Sequence, residues 1–224
     1  NLNSGNIPQV DEMEHQRAAF VTTPDYWVAQ SDVDKQLAER SDCQWLMGWR
    51  NICRSTDVRT VIASIIPRVA VGHATPLLMS EVGIESQAAL YSCVSSLALD
   101  YCARQKVGGL NLTYGYLKQF PIPAPDFFDT NCPWSPSVSI ADWLLPCVVE
   151  LTFTAWDLEA FGVDCGYAGT PFRWDEDCRS LLRAEIDAAF FHLYLGTPDE
   201  WVRDATLSLK ANLTPQRGPK RCRL

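Results

Sequence analysis

The side chains best suited to chemistry in this chain are basic and amide groups that recur between residues 50 and 119. Arginine offers a planar fork of donors that matches a phosphate or the major-groove edge of guanine, while Asn and Gln match adenine. Lysine supplies contacts of the phosphate type. The pattern predicts a set of DNA-contacting side chains, which comprises Arg50, Arg54, Arg59, Arg68, Lys106, Asn111, Tyr114, Lys118 and Gln119.

A purely structural role for the arginines is the competing interpretation. Carboxylates at Asp57, Glu81 and Asp100 lie in the same part of the chain. Ion pairs between them and the arginines would tie neighbouring strands together. From the sequence, both interpretations stay open for each arginine.

Catalytic patterns are missing from the sequence. It has no glycine-rich nucleotide turn (GxGxxG or GxxxxGK[ST]) and no GxSxG elbow. The Asn/Asp-Pro-Pro-aromatic loop of base-flipping amino-methyltransferases is also absent. The three histidines have no cysteines at ligand spacing, so no zinc site is predicted. We therefore predict no catalytic and no metal-binding residues, although an enzyme of another type stays open.

Charge is distributed unevenly along the chain. The 224 residues carry a net charge of −8, yet residues 43–125 hold 7 basic and 4 acidic side chains, a net charge of +3. Such asymmetry can mark the contact face of a nucleic-acid module. An unevenly charged solvated surface would give the same pattern.

Composition is that of a globular protein, with 47% hydrophobic and 21% charged residues. No run of 18 apolar residues occurs, so no membrane span is expected. Nine dispersed cysteines without a CxxC pair favour reduced thiols, and hence a cytoplasmic location. The start of the chain has no signal-peptide pattern and no initiator Met, which suggests a piece of a longer protein.

The elements that must position the basic residues are a pair of strands and a helix that leads into a turn. A stretch dense in Trp and apolar residues predicts a strand over 43–53, and a Val- and Ile-rich stretch predicts a second over 58–71, broken at Pro67. Apolar spacing predicts one helix over 85–105. A glycine turn at 108–109 and an extended segment over 109–120 follow, and prolines at 121, 123 and 125 favour a stiff exit.

The fold class expected from these elements is mixed α/β, a twisted β structure buttressed by helices. After a loop-rich stretch over 126–145, helices are predicted over 146–161 and 175–194, with a short one over 199–209. The domain boundaries expected are a partly flexible lead-in (1–24), a recognition core (25–125), a C-terminal helical part packing on it (126–205) and a basic, disordered tail (206–224).

Two stretches carry a resemblance to a known family. WLMGWRNICRSTDVRTVIASIIPRVAVGH (45–73) and ALYSCVSSLALDYCARQKVGGLNLTYGYLKQFPIPAP (89–125) are similar to the C-terminal region of large adenine-specific DNA methyltransferases. Such enzymes belong to restriction-modification, BREX or DISARM-type phage-defence systems. The helical run over 150–194 also resembles the family's C-terminal helices, so the likeness covers roughly residues 25–205.

The resemblance implies a TaqI-like or type I specificity-like target recognition domain. Its partners would be double-stranded DNA, an upstream methyltransferase domain of the same protein and other defence-system subunits. S-adenosylmethionine would bind in that upstream domain and not in this chain, because the family's cofactor motif and catalytic loop are absent here. The alternative expectation is a protein-interaction module that docks onto a translocase or nuclease of a defence complex.

Overall fold

Helices make up most of the regular structure in residues 10–24 and 26–196, the part of the chain that the computed structural model describes. The predicted helix over 199–209 and the tail over 206–224 lie outside the described residues. The mixed α/β class is confirmed. The strands are β1 (Trp45–Trp49), β2 (Ala63–Pro67), β3 (Leu77–Leu78), β4 (Asn131–Cys132) and β5 (Ser135–Ser139). The helices are α1 (Glu12–His15), α2 (Gln30–Leu37), α3 (Ile84–Ser95), α4 (Leu97–Lys106), α5 (Tyr114–Leu117), α6 (Pro125–Phe128), α7 (Ile140–Thr152), α8 (Glu159–Asp164) and α9 (Glu176–Leu195).

Strand β1 is the centre of an antiparallel sheet with the order β2-β1-β3. All five of its residues are buried, because successive side chains point to opposite faces and both faces are covered. Trp45 and Met47 pack in one hydrophobic cluster with residues of α7, and Leu46 packs with residues of α2. The continuous apolar run that predicted this strand is thus the signature of burial on both sides.

The second predicted strand is shorter than expected. Strand β2 pairs with β1 over the register Trp45↔Pro67 to Trp49↔Ala63, and residues 58–62 are not part of it. The backbone N–H groups of Thr60 and Val61 bond to a carboxylate of α4 instead of to a strand. Pro67 ends β2, in agreement with the predicted break.

The single helix predicted over 85–105 is wrong, since two helices occupy this stretch. Ser96 leaves the helical conformation (φ −75°, ψ 150°) and its Oγ accepts a hydrogen bond from Leu99 N at 3.2 Å. It is therefore the N-cap of α4. Apolar spacing continues through this position, so periodicity alone could not reveal the break.

The extended segment predicted over 109–120 is also wrong. Strand β1 has β2 on one edge and β3 on the other, so no edge of it is free for another strand. Within this segment only Asn111 forms a bridge, with Ile52. Helix α5 then follows, and the prolines lead without regular structure into α6, which begins at Pro125.

The stretch predicted as a loop over 126–145 contains the β4-β5 hairpin and the start of α7. Ser139 caps α7, because its Oγ accepts a hydrogen bond from Asp142 N at 3.0 Å. Pro146 lies inside this helix and does not begin it as predicted. The fixed φ of proline is compatible with a helix, although proline has no backbone N–H to donate. Helix α9 is confirmed, with Asp175 as its N-cap.

One hydrophobic core links the chain before and after residue 125. Helix α3 packs on α7, and α4 packs on α9. Leu99 and Phe190 are both fully buried in the largest cluster. Among residues 10–24 and 26–196, no helix is long and apolar enough to cross a membrane.

Most of the described cysteines are free thiols, as expected, namely Cys43, Cys53, Cys93, Cys102, Cys132, Cys147 and Cys165. Cys178 is disulfide-bonded, so the expectation of reduced cysteines fails at that position.

Candidate functional site

Two irregular segments that carry predicted site residues lie side by side. The loop over 50–58 leaves β1, and the segment over 107–113 links α4 to α5. Cys53 N donates to Leu110 O at 3.0 Å, and Leu112 N donates to Asn51 O at 2.7 Å. These backbone bonds fix the relative position of the two segments.

Arg104 of α4 forms hydrogen bonds to the backbone of the loop over 50–58. Its guanidinium donates to the carbonyls of Ser55 at 3.0 Å and of Asp57 and Val58 at 2.7 Å each. Its Nε donates to Asp100 Oδ2 at 2.7 Å. The loop therefore has a defined shape beyond its bridge at Ile52, because an arginine fork takes up three of its carbonyls.

Asp100 completes this arrangement from inside the protein. Its side chain is only 2% exposed. Oδ1 accepts hydrogen bonds from Thr60 N at 2.7 Å and Val61 N at 2.8 Å, while Oδ2 pairs with Arg104. Residues 55–61, at the C-terminal end of the loop and just beyond it, are thereby anchored to α4.

The exposed face of these segments carries more positive than negative charge. We call it the basic surface. Arg50 forms an exposed ion pair with Asp57 at 3.0 Å. The exposed side chains of Arg54 and Lys118 have no ion-pair partner among the described residues. The basic surface comprises Arg50, Arg54, Arg104, Lys106 and Lys118, with Asp57 and Asp100 as its two carboxylates.

The amide groups predicted for base contacts lie on the same surface. Lys106 Nζ is 3.4 Å from Gln119 Oε1, which links the end of α4 to the end of α5. Gln119 Nε2 donates to Gly115 O at 2.8 Å. Asn111 is exposed beside Ile52 at the bridge. Asn111 and Gln119 thus present amides between cationic side chains.

Tyr114 is more strongly tied to the fold than the other predicted residues. Its ring packs edge-on against buried Trp49, with centroids 4.8 Å apart. Its hydroxyl donates to Leu77 O at 2.8 Å. About half of the side chain remains exposed, so part of the aromatic ring is available for contact with a ligand.

Arg59 and Arg68 are not part of the basic surface. The Arg68 side chain is 9% exposed and pairs with Asp34 at 3.1 Å, and it also donates to the carbonyls of Ser41 and Cys43. Arg59 pairs with Asp187 of α9 at 2.8 Å. For these two, the interpretation as structural ties is the better one, although their partners differ from the carboxylates considered above.

Arg104 and Asp100 are the positioning residues that the sequence analysis missed as a pair. Their spacing of four residues on a helix places them on one face, where opposite charges attract. That spacing was the available signal. It could not indicate the three loop carbonyls, because those contacts join residues about 50 positions apart.

The side chains of the basic surface are suited to binding. Burial raises the pKa of the Cys53 thiol beneath the loop, so this group is not an activated nucleophile. Within residues 10–24 and 26–196, no group of three His, Cys, Asp or Glu side chains could hold a metal ion. The surface offers fixed donors, positive charge and a few apolar side chains.

Comparisons with known proteins give no assignment, because no family model, curated protein or solved structure matches this chain.

Proposed function

We propose that the chain recognises double-stranded DNA through the basic surface. The observation that carries the proposal is the excess of cations on two loops of fixed shape, in a chain whose net charge is −8. Five cationic side chains against two carboxylates would draw a polyanion to this face. The rigid backing by Arg104 and Asp100 means that little loop order has to be gained on binding.

The contacts expected on DNA fall into two groups. Arg54, Lys106 and Lys118 are exposed, and their charges would neutralise phosphates. Asn111 and Gln119 lie among them and carry the amide groups that pair with adenine edges. Arg50 can reach either group of acceptors once it exchanges its exposed partner Asp57, since such surface pairs contribute little energy.

The biological role proposed is that of the specificity domain of an N6-adenine DNA methyltransferase in restriction-modification or phage defence in the cytoplasm. The support for this finer statement is the resemblance over residues 45–73 and 89–125. A separate methyltransferase domain would bind S-adenosylmethionine and transfer the methyl group to the flipped adenine. This chain would select the site.

Selection from a random duplex pool, at two salt concentrations, tests the proposal. An enriched motif that contains adenine is the expected result. Salt-sensitive binding without a motif would leave docking on DNA but remove the role in specificity. Absence of binding at both salt concentrations would refute DNA recognition by this chain.

Charge-removal variants locate the binding face. Arg54→Gln with Lys118→Gln should weaken duplex binding and lower the slope of log K against log salt by about 0.9 for each phosphate that is no longer neutralised. Lys35→Gln with Arg40→Gln, at two exposed positions away from the basic surface, is the matched control and should leave the slope unchanged. An equal effect of the control would mean that net charge, and not the basic surface, governs binding.

A protein-interaction module is the second candidate, and one observation favours it. Tyr26 and Trp27 are 89% and 80% exposed, and Val28 beside them is also exposed. Neighbouring exposed aromatic side chains are typical of docking sites for another protein. A translocase or nuclease subunit that loses affinity on Trp27→Ala, together with absence of duplex binding, would support this candidate.

A further inference from the structure

A second candidate site lies in a cavity of about 600 Å³ that the proposed function does not use. It is bounded by the chain over 58–63, by α3, by the end of α7 and by α9. Its volume is within the range of small-molecule sites, roughly 300–1,000 Å³. The side chains that matter here are Arg59, Tyr91, Leu151, Arg179, Arg183 and Asp187.

Arg179 is a cation without a carboxylate partner in this cavity. No carboxylate among the described residues lies within 4.0 Å of its guanidinium. The guanidinium carbon lies 3.5 Å from the centroid of the Trp174 ring, and one terminal nitrogen donates to Leu151 O at 2.8 Å. Its Nε is buried and has no acceptor. Burial, and then the neighbouring Arg183, lower the pKa of Arg179, so the fold holds this cation at an energetic cost.

Two more arginines line the cavity, and each is only partly neutralised. Arg183 pairs with Glu176 at 3.2 Å through an exposed contact. Arg59 pairs with Asp187, whose other oxygen already accepts a hydrogen bond from Leu97 N. The lining therefore holds three guanidinium groups and one carboxylate. Each fork has five donors, so donors remain for a ligand.

Most of the remaining wall is apolar, although Ser95 and Ser180 also line it. Val61, Ile62, Leu151 and Ile186 contribute hydrocarbon surface, and Tyr91 contributes an aromatic ring. A site of this kind suits a ligand with one charged end and one apolar end. Inorganic phosphate alone would leave the apolar side chains of the cavity in contact with water.

We propose that this cavity binds a small organic anion, whose phosphate or carboxylate group contacts Arg179 and Arg183 and whose apolar part packs against Tyr91 and Leu151. An anion at this place would put a negative charge beside a guanidinium that has no carboxylate partner among the described residues. It would also offset the repulsion between the two adjacent arginines. The site is separate from the basic surface and does not depend on DNA binding.

Calorimetric titration of the full 224-residue chain tests the site, with phenyl phosphate, benzoate, inorganic phosphate and benzyl alcohol as probes. Saturable one-to-one binding of phenyl phosphate or benzoate is expected, and the tighter of the two identifies the charged group. Inorganic phosphate should bind more weakly because it cannot cover the apolar wall. Neutral benzyl alcohol should not bind measurably.

Variants connect the binding to the cavity. Arg179→Gln should weaken phenyl phosphate binding roughly tenfold or more, because glutamine cannot form charge-assisted hydrogen bonds to the anion. Ala184→Trp, which fills the cavity without a change in charge, should abolish it. Arg54→Gln on the basic surface should leave it unchanged. Circular dichroism establishes that each variant is folded, and exposed Arg183→Gln decides the question if Arg179→Gln does not fold.

Absence of saturable binding by both organic anions would overturn the proposal. So would binding that is as tight in folded Arg183→Gln and Ala184→Trp as in the native chain. Neither result would bear on the duplex-binding proposal, whose variants and probes are different.

Discussion

Replacement of Asp100 by alanine should destabilise the protein far more than the loss of one ion pair suggests. The carboxylate is buried and serves three donors, namely the backbone N–H groups of Thr60 and Val61 and the Nε of Arg104. Alanine removes both carboxylate oxygens, so that three donors lose their acceptor, and it leaves the space that the carboxylate filled. Arg104 is partly exposed and can turn to water, but the two N–H groups are buried.

The size of the effect follows from these partners. A buried donor left without an acceptor costs about 1–3 kcal/mol. Two such donors give a loss of about 2–6 kcal/mol, to which the partly exposed arginine adds little. The free energy of unfolding of a natural domain is about 5–15 kcal/mol, so this single change removes a large part of it.

Urea unfolding of Asp100→Ala, Asp100→Asn and Glu176→Ala measures the loss. Asparagine keeps an oxygen for Thr60 N and Val61 N but puts an NH2 donor where Arg104 Nε had its acceptor, and the partly exposed Arg104 can turn to water. We therefore expect a cost of about 1–2 kcal/mol. Glu176→Ala breaks the exposed pair with Arg183 and should cost at most about 1 kcal/mol. The reasoning is refuted if asparagine costs as much as alanine, or if alanine costs no more than Glu176→Ala.

Three further outcomes are expected. Arg68→Ala leaves two carbonyls without their donor and should lower the free energy of unfolding, measured in urea, by about 2–3 kcal/mol, with duplex affinity unchanged. A variant with full stability and lost duplex affinity would instead show that Arg68 contacts DNA. Gly48→Ala places a Cβ 2.7 Å from the carbonyl oxygen of Pro76 and should cost about 1–3 kcal/mol, whereas Gly108→Ala meets no atom within 4 Å and should leave the thermal midpoint nearly unchanged; equal midpoints would disprove the close approach. Burial raises the pKa of Cys93 to about 12, so its alkylation by iodoacetamide at pH 8 should be roughly 1,000-fold slower than that of an ordinary thiol. Peptide mass spectrometry measures the rate, and labelling of the native protein as fast as in urea would contradict the prediction.

The elements that the sequence predicted correctly are those whose signals are local. Strand β1 is a run of buried residues, and α9 begins at an aspartate whose side chain bonds to the third residue of the helix. The wrong elements depend on distant partners. Residues 109–113 pair with the chain only at the single bridge between Asn111 and Ile52, just beyond the end of β1, and the sequence gives no sign of how short that pairing is.

The candidate site divides in the same way. Basic residue types between Arg50 and Lys118 predicted a charged face, and five of the seven cations in residues 43–125 do lie on it. The sequence could not separate Arg54, which is exposed, from Arg68, which is buried. The difference comes from carbonyl acceptors 25 and 27 residues away and from a carboxylate on α2.

The outer strands of the three-stranded sheet also determine how the protein behaves at high concentration. An unpaired strand edge is a template on which another chain can add and aggregate. Here one outer strand, β3, has two residues, and the other, β2, ends in a proline. Proline opposes pairing with a further strand, and two residues give too little length for it. The sheet is therefore poorly suited to grow by the addition of strands from a second molecule, although neither of its edges is closed by a barrel.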